Sequence, residues 1–201
     1  AFNFMDGING LSAASGAVSG GSFARFGMAF DSPEIYSLGV ALLAGCLAFL
    51  PFNFPRARVF LGDSGSYGLG SLIALLVGLA WTSGVPLWLA LAPVVIYLTD
   101  TGAAIVRRLR QGRSLSEPHR SHTYQQLATM GLGHTKATLV LVMFELMVVG
   151  AAALGYRFDR PLEGILAVVV FMGAYLSLPF ALRRAVAKRA QTKGTTATSA
   201  G

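Results

Sequence analysis

The stretch LIALLVGLAWTSGVPLWLALAPVVIYL, residues 72–98, decides the fold class because it contains two long apolar runs and no charged side chain. The segment TSGVP separates the two runs, and a helix needs about 20 apolar residues to cross a bilayer. Similar runs fill most of the 201 residues, of which 54% are hydrophobic and 12% charged. Soluble domains carry about 25% charged residues, so the composition excludes a soluble enzyme with a separate core.

The apolar runs predict an all-α fold, a polytopic membrane helical bundle with about six transmembrane helices. The predicted spans are residues 8–30, 35–50, 67–81, 87–106, 136–155 and 164–182. We assign residues 1–182 to the membrane domain and residues 183–201, which are basic and end in TKGTTATSAG, to a disordered cytoplasmic tail. The single cysteine, Cys46, lies inside an apolar run and has no partner in the chain for a disulfide.

The net charge of +7 is compatible with nucleic-acid binding, but the basic residues lie at the ends of the apolar runs. This pattern is typical of membrane topology, and it argues against a nucleic-acid partner. Six alternating spans divide the loops into two sets, and thirteen of the sixteen Lys and Arg residues lie in or beside one set. The positive-inside rule assigns that set to the cytoplasm. Every unusual polar motif lies in the same set, which predicts a site on the cytoplasmic face.

The first polar motif is NFMDGINGL, residues 3–11, where Asn3, Asp6 and Asn9 recur every three residues. If the segment is helical, the three side chains share one face at the start of a span. They are then suited either to capping the open backbone donors of the helix or to binding a ligand. The motif alone leaves both interpretations open.

The second motif is FLGDSGSYGLG, residues 60–70, which contains Asp63. Its GDSG segment resembles a serine-hydrolase signature, but a hydrolase needs a base and an oxyanion hole that spacing alone never establishes, and we reject that interpretation. A carboxylate here suits Mg2+, which takes one or two side-chain ligands and completes its shell with water and phosphate oxygens. Capping of the following helix by Asp63 is the structural alternative, and it is compatible with metal binding.

The third motif is the polar loop in RRLRQGRSLSEPHRSHTYQQL, residues 107–127. Arginine presents a planar fork to phosphate oxygens, and histidine donates to them or exchanges protons with them. Two histidines three residues apart without a cysteine make a poor zinc site. A solvated basic loop is the structural alternative. The candidate phosphate-binding residues are Arg113, His119, Arg120 and His122.

Two carboxylates, Asp100 and Glu145, lie within predicted spans, where an unpaired charge costs about 2.5–3.5 kcal/mol near the bilayer centre. Asp100 precedes Arg107 by seven residues on the same helical face, so we expect it to support the basic loop or to form a structural pair. The sequence indicates no function for Glu145. A transporter would use such residues to line a pathway, but the polar clusters lie at one surface, which favours an enzyme.

Taken in order, the three motifs resemble those of the polyprenyl-phosphate N-acetylhexosamine-1-phosphate transferase family of bacterial membranes, and the resemblance extends to about Leu182. It implies transfer of a sugar 1-phosphate from a UDP-amino sugar to undecaprenyl or a related polyprenyl phosphate, with release of UMP. This reaction is the first membrane step of cell-envelope polysaccharide synthesis. The resemblance also implies a multi-pass protein of the inner membrane with its active site facing the cytoplasm, in contact with membrane lipid. A homodimer is left open.

Carried over by position, the resemblance implies that Asp63 and Asn3 bind Mg2+, with Mn2+ as an alternative ion, and that Asp6 lies close to the reacting phosphates. Asn9 takes the place of a residue that contacts the uracil ring. Arg120 and His122 match positions on the diphosphate and sugar side of the nucleotide, and we assign a catalytic role to Asp6, Asp63 and His122. The segment HRSHTYQQ is closer to the enzymes that initiate O-antigen or related surface polysaccharides than to the peptidoglycan enzyme with its consecutive histidines.

The family also has two adjacent aspartates in an earlier cytoplasmic loop, whereas no DD pair occurs in this chain. We therefore expect an N-terminal part upstream of Ala1, and we expect the 201 residues alone to be inactive. A non-catalytic membrane fragment that acts as an interaction partner is the alternative function.

Overall fold

The computed structural model describes residue 5, residues 7–110, residue 112 and residues 122–198, with side chains as far as residue 185. The described chain is almost entirely helical and contains no strand, so the predicted all-α class is confirmed. The helices are α1 (Leu11–Ala29), α2 (Pro33–Asn53), α3 (Gly62–Thr82), α4 (Leu87–Ala90), α5 (Val95–Arg110), α6 (Thr123–Leu127), α7 (Gly133–Arg157) and α8 (Pro161–Thr198).

Five helical segments of the described chain are long and apolar enough to cross a membrane, and they agree with five of the six predicted spans. Several of their large apolar side chains point outward, among them Leu47, Leu75, Leu146 and Val170. Such side chains suit a lipid environment, where apolar surface needs no cover from protein. The chain is therefore a multi-pass membrane protein. The five segments are Pro33–Asn53, Gly62–Thr82, Leu87–Arg110, Thr123–Arg157 and Pro161–Ala185.

The predicted span at residues 8–30 corresponds to helix α1, but α1 is not among the five apolar segments. Its serines and glycines lower its hydropathy, and twelve of its nineteen residues are buried among the other helices. It packs against α2, α3 and α7. Helix α1 is thus the interior helix of the bundle, and small side chains allow its neighbours to approach closely.

Glycines set the closest of these contacts, between α1 and α2. A Cβ atom on Gly20 would lie 2.5 Å from the Leu43 backbone nitrogen, and one on Gly39 would lie 2.4 Å from the Ala24 backbone nitrogen. Real Cβ atoms do not approach backbone so closely, so these positions require glycine. Glycine at these two positions therefore allows the backbones of α1 and α2 to pack directly against each other.

Helix α8 continues past residue 182, where the predicted membrane domain ends, and its backbone is helical to Thr198. Its first 25 residues, Pro161–Ala185, form the last apolar segment. The division of the chain into a membrane domain and a basic tail at residue 182 stays a prediction.

Candidate active site

The turn at residues 7–10 leads into α1 and is held by a buried amide from another helix. Gly10 has a φ of +76°, a left-handed conformation that glycine adopts without strain. Its backbone N–H donates to Asn53 Oδ1 at 2.7 Å, and Asn53 Nδ2 donates to the Val59 carbonyl oxygen at 2.8 Å. Asn53 therefore joins the first polar motif to the loop that precedes the second motif.

Asn9 in this turn contacts two other elements. Its Nδ2 donates to the Pro55 carbonyl oxygen at 3.1 Å, and its Oδ1 lies 3.4 Å from His134 Nδ1. The Thr138 hydroxyl donates to the Asn9 carbonyl oxygen at 2.8 Å. The capping interpretation is wrong for Asn9, because α1 begins after Gly10 without a side-chain cap. The side chain instead connects the loop after α2 to the start of α7.

Gly7 brings the same turn against the segment that follows the basic loop. A Cβ atom on Gly7 would lie 3.0 Å from the Tyr124 hydroxyl oxygen and 3.1 Å from Gln125 Nε2. Tyr124 is fully buried, and its ring stacks on the His122 ring at a centroid distance of 5.4 Å. The first and third motifs, more than a hundred residues apart in the sequence, therefore meet at one end of the bundle.

Asp63 lies in the first turn of α3, with its side chain exposed. It is not the N-cap residue, which is Leu61, so the capping alternative is wrong. Within the described part of the chain the Asp63 carboxylate has no hydrogen-bond or ion-pair partner, and an exposed carboxylate near a helix N-terminus has the oxygen chemistry that Mg2+ requires. Among those same residues, no group of three or more His, Cys, Asp or Glu side chains could hold a metal ion.

His122 is buried beside a carboxylate. Its Nδ1 lies 3.7 Å from Asp100 Oδ2, and Arg107 Nη2 lies 3.7 Å from Asp100 Oδ1. The Thr123 backbone N–H donates to Asp100 Oδ1 at 2.8 Å, and the Tyr175 hydroxyl donates to Oδ2 at 3.3 Å. The Asp100 carboxylate thus contacts the residues just before and just after the loop at residues 111–121, and its Arg107 contact also fits the structural pair.

The remaining predicted site residues lie outside the described residues. The structure brings Gly7 of the turn against Tyr124 and Gln125, and among the described residues no hydrogen bond joins Asp63 to the turn at residues 7–10. The residues outside the description are Asn3, Asp6, Arg113, His119 and Arg120.

Several residues that hold the site are missing from the sequence predictions. Asn53 and Thr138 lie at the polar ends of apolar runs, which is the only signal that the sequence gives for them. Tyr175 lies in the middle of an apolar run and carries no signal. Glu145 is buried and accepts a 2.8 Å hydrogen bond from the Ser15 hydroxyl, which attaches α7 to α1. Its role in the described chain is therefore structural contact between these helices.

The chain is similar in sequence to known proteins over most of its length. Residues 1–82 match the family model described as Glycosyl transferase family 4. This part of the chain resembles glycosyl transferase family 4. The resemblance inferred from the three motifs is thereby confirmed, whereas the O-antigen branch within it stays a prediction. No solved structure matches the chain.

Three curated proteins are similar to most of the chain. The chain is 31% identical, over 92% of its length and 51% of the relative, to the decaprenyl-phosphate N-acetylglucosaminephosphotransferase of Mycolicibacterium smegmatis. It is 33% identical, over 71% of its length and 41% of the relative, to a probable undecaprenyl-phosphate N-acetylglucosaminyl 1-phosphate transferase of Bacillus subtilis. It is 30% identical, over 76% of its length and 46% of the relative, to the phospho-N-acetylmuramoyl-pentapeptide-transferase of Moorella thermoacetica. The chain spans about half the length of the first of these relatives.

Proposed function

We propose that the protein to which this chain belongs transfers an N-acetylhexosamine 1-phosphate from a UDP-linked sugar to a polyprenyl phosphate and releases UMP. The observation that carries the proposal is the convergence of polar segments on the turn at residues 7–10. Asn53 and Pro55 bind the turn from one side, and Tyr124 and Thr138 contact it from the other. A lipid-facing bundle that only anchored a partner would not need such a polar assembly at one end.

The reaction brings two negatively charged phosphates together, so positioning and charge neutralisation are the main tasks of the protein. The basic residues at this end suit the second task. Arg107 lies beside Asp100, and Arg183 Nη2 donates to Gln126 Oε1 at 3.3 Å, which holds the end of the last apolar segment against α6. These cations, together with those of the loop at residues 111–121, favour a diphosphate at this surface.

The side chains have separable tasks in this proposal. Asn9, fixed through its backbone carbonyl by Thr138, presents its amide toward the base of the nucleotide. His122, held between Asp100 and Tyr124, faces the diphosphate and donates a hydrogen bond or a proton there. Asp63, with Asn3, would hold Mg2+. When bound, that ion would supply charge neutralisation for the diphosphate.

The relatives support N-acetylglucosamine as the first sugar to test, since their names include N-acetylglucosaminephosphotransferases acting on decaprenyl phosphate and undecaprenyl phosphate. We propose the cytoplasmic face of the bacterial inner membrane as the location of the site, which the excess of Lys and Arg at this end supports. The lipid phosphate reaches that surface from within the bilayer.

The test is an assay of UMP release by the protein expressed from its full reading frame. Purified protein is incubated with Mg2+, undecaprenyl phosphate and, separately, UDP-N-acetylglucosamine or other UDP-amino sugars. We expect UMP in proportion to lipid-linked sugar phosphate and none without the lipid phosphate. His122→Ala serves as the inactive control, and the exposed Glu163→Gln at the opposite end of the bundle serves as the active control. Hydrolysis of every UDP-sugar without a lipid product would refute the proposal.

A further inference from the structure

The Asp100 carboxylate is the point at which the two ends of the basic loop meet. Arg107 precedes the loop at residues 111–121, and His122 and Thr123 follow it. Tyr175 reaches the same carboxylate from α8, 75 residues further along the chain. The Asp100 side chain is completely buried. A buried carboxylate is costly unless charged or donor groups surround it, and here four groups from three helical segments do so.

The contacts of Asp100 divide into two kinds. The Thr123 backbone N–H and the Tyr175 hydroxyl donate hydrogen bonds, and these two bonds would satisfy a neutral acceptor equally well. The Arg107 and His122 contacts, both at 3.7 Å, are longer than hydrogen bonds and are ion-pair distances. The two hydrogen bonds and the Arg107 contact also suit a purely structural role. The contact with His122 places the negative charge of Asp100 beside the ring of the candidate catalytic histidine.

The orientation of the His122 ring follows from its neighbours. Nδ1 is buried, faces Asp100 Oδ2 and has no hydrogen-bond partner among the described residues. The face of the ring lies against Tyr124, whose ring plane is inclined by 27°. Hydrogen bonds in catalytic pairs are often long before substrate binds and shorten in the complex. With Nδ1 directed at the carboxylate, Nε2 is the ring nitrogen available to substrate.

We propose that Asp100 is a positioning residue that holds the His122 ring by its Nδ1 edge and presents Nε2 to the diphosphate of the nucleotide sugar. The positioning itself follows from the geometry of Asp100 and His122, and its use in catalysis rests on the proposed function. Carboxylate partners fix the tautomer of a histidine, and in metal sites the removal of such a partner costs about 10- to 100-fold in metal affinity or activity.

The first test is a double-mutant cycle in the full-length enzyme with Asp100→Asn and His122→Gln. Asparagine keeps one acceptor oxygen, for the Thr123 backbone N–H, and removes the charge. We expect His122→Gln to lower kcat by at least about 100-fold and Asp100→Asn to lower it by about 10-fold. If Asp100 acts through His122, the double variant is no slower than His122→Gln alone. If the loss in kcat of the double variant equals the product of the losses of the two single variants, the proposal is overturned.

Tyr175→Phe is the milder second variant in case Asp100→Asn fails to fold. It removes one hydrogen bond from Asp100 and keeps the ring packed on Phe144 at a centroid distance of 5.7 Å. We expect a loss in kcat of a few-fold that disappears in the His122→Gln background. A loss that persists in that background would contradict the proposal.

The second test does not depend on activity. The protein is labelled with 15N at histidine for NMR. The imidazole 15N resonances that are absent in His122→Gln are assigned to His122. We expect a proton on Nδ1 in the wild-type protein and a change in the His122 resonances in Asp100→Asn, with His134 unchanged. Unchanged His122 resonances would overturn the proposal. If the resonances change but the wild-type enzyme transfers no sugar phosphate, the positioning stands and only the proposed function fails.

Discussion

The Thr138 hydroxyl donates a 2.8 Å hydrogen bond to the carbonyl oxygen of Asn9, across 129 residues of sequence. Thr138 is 1% exposed, so water does not replace this bond easily. The bond fixes the backbone of the turn at Asn9. We propose that the Asn9 side chain contacts the uracil ring. The Thr138 hydroxyl on α7 therefore helps to fix the position from which the Asn9 side chain extends.

Thr138→Val tests this relationship, because valine keeps the shape of threonine and removes the donor. A lost buried hydrogen bond costs about 1–3 kcal/mol, and we expect the KM for the UDP-sugar to rise at least about fivefold with a smaller change in kcat. The matched control is Thr82→Val, whose exposed hydroxyl bonds only to carbonyls of its own helix. Equal effects of the two variants on KM would contradict the prediction.

Asn53→Leu should destabilise the protein, since it leaves the Gly10 N–H and the Val59 carbonyl without their buried partner. Each unsatisfied group costs about 1–3 kcal/mol. We expect a lower melting temperature in detergent and loss of transfer activity. Ser37→Ala, on the same helix and exposed, should leave both quantities unchanged. A variant Asn53→Leu with wild-type stability would show that this amide does not hold the turn.

Gly39→Ala should weaken the contact between α1 and α2, because the added Cβ would lie 2.4 Å from the Ala24 nitrogen. Overpacking of this kind typically costs about 1–3 kcal/mol. Gly45→Ala, on the same helix with no atom within 4 Å of the added Cβ, is the control, and alanine there favours helix by about 1 kcal/mol. The check is the thermal stability of both variants in detergent. Equal melting temperatures would exclude the close contact.

Asp63→Asn tests the metal assignment in the full-length enzyme. If Asp63 binds Mg2+, the variant should need at least about tenfold more Mg2+ for half-maximal UMP release, since an amide oxygen is a weaker ligand than a carboxylate. Asp31→Asn, an exposed position between α1 and α2, should keep the wild-type Mg2+ dependence. Near-normal UMP release by Asp63→Asn at limiting Mg2+ would rule out a direct ligand role.

The sequence predicts the helices well because long apolar runs leave few alternatives to membrane spans. It also predicts that the polar segments share one end, since alternation of spans determines which loops lie together. The sequence does not predict the partners. Tyr175 contacts Asp100, and Gly7 contacts Tyr124, because of how the helices pack. The residues of each pair are too far apart in the sequence for a local pattern to indicate the contact. The repeat of Asn3, Asp6 and Asn9 suggests a helix face, but left-handed Gly10 makes the segment around Asn9 a turn.

The interior position of α1 has a consequence for biosynthesis. Its serines make it the long helix least suited to enter a bilayer alone, and its glycines fit the backbone of α2, which the ribosome makes afterwards. The serines are covered by segments made later still, since Ser15 bonds to Glu145 of α7 and Ser19 to the Pro93 carbonyl oxygen. Asn53 at the end of α2 then accepts the hydrogen bond from the Gly10 N–H. The α1–α2 pair thus supplies only the Asn53 bond to the turn, and the Thr138 bond to Asn9 forms after α7 has been made.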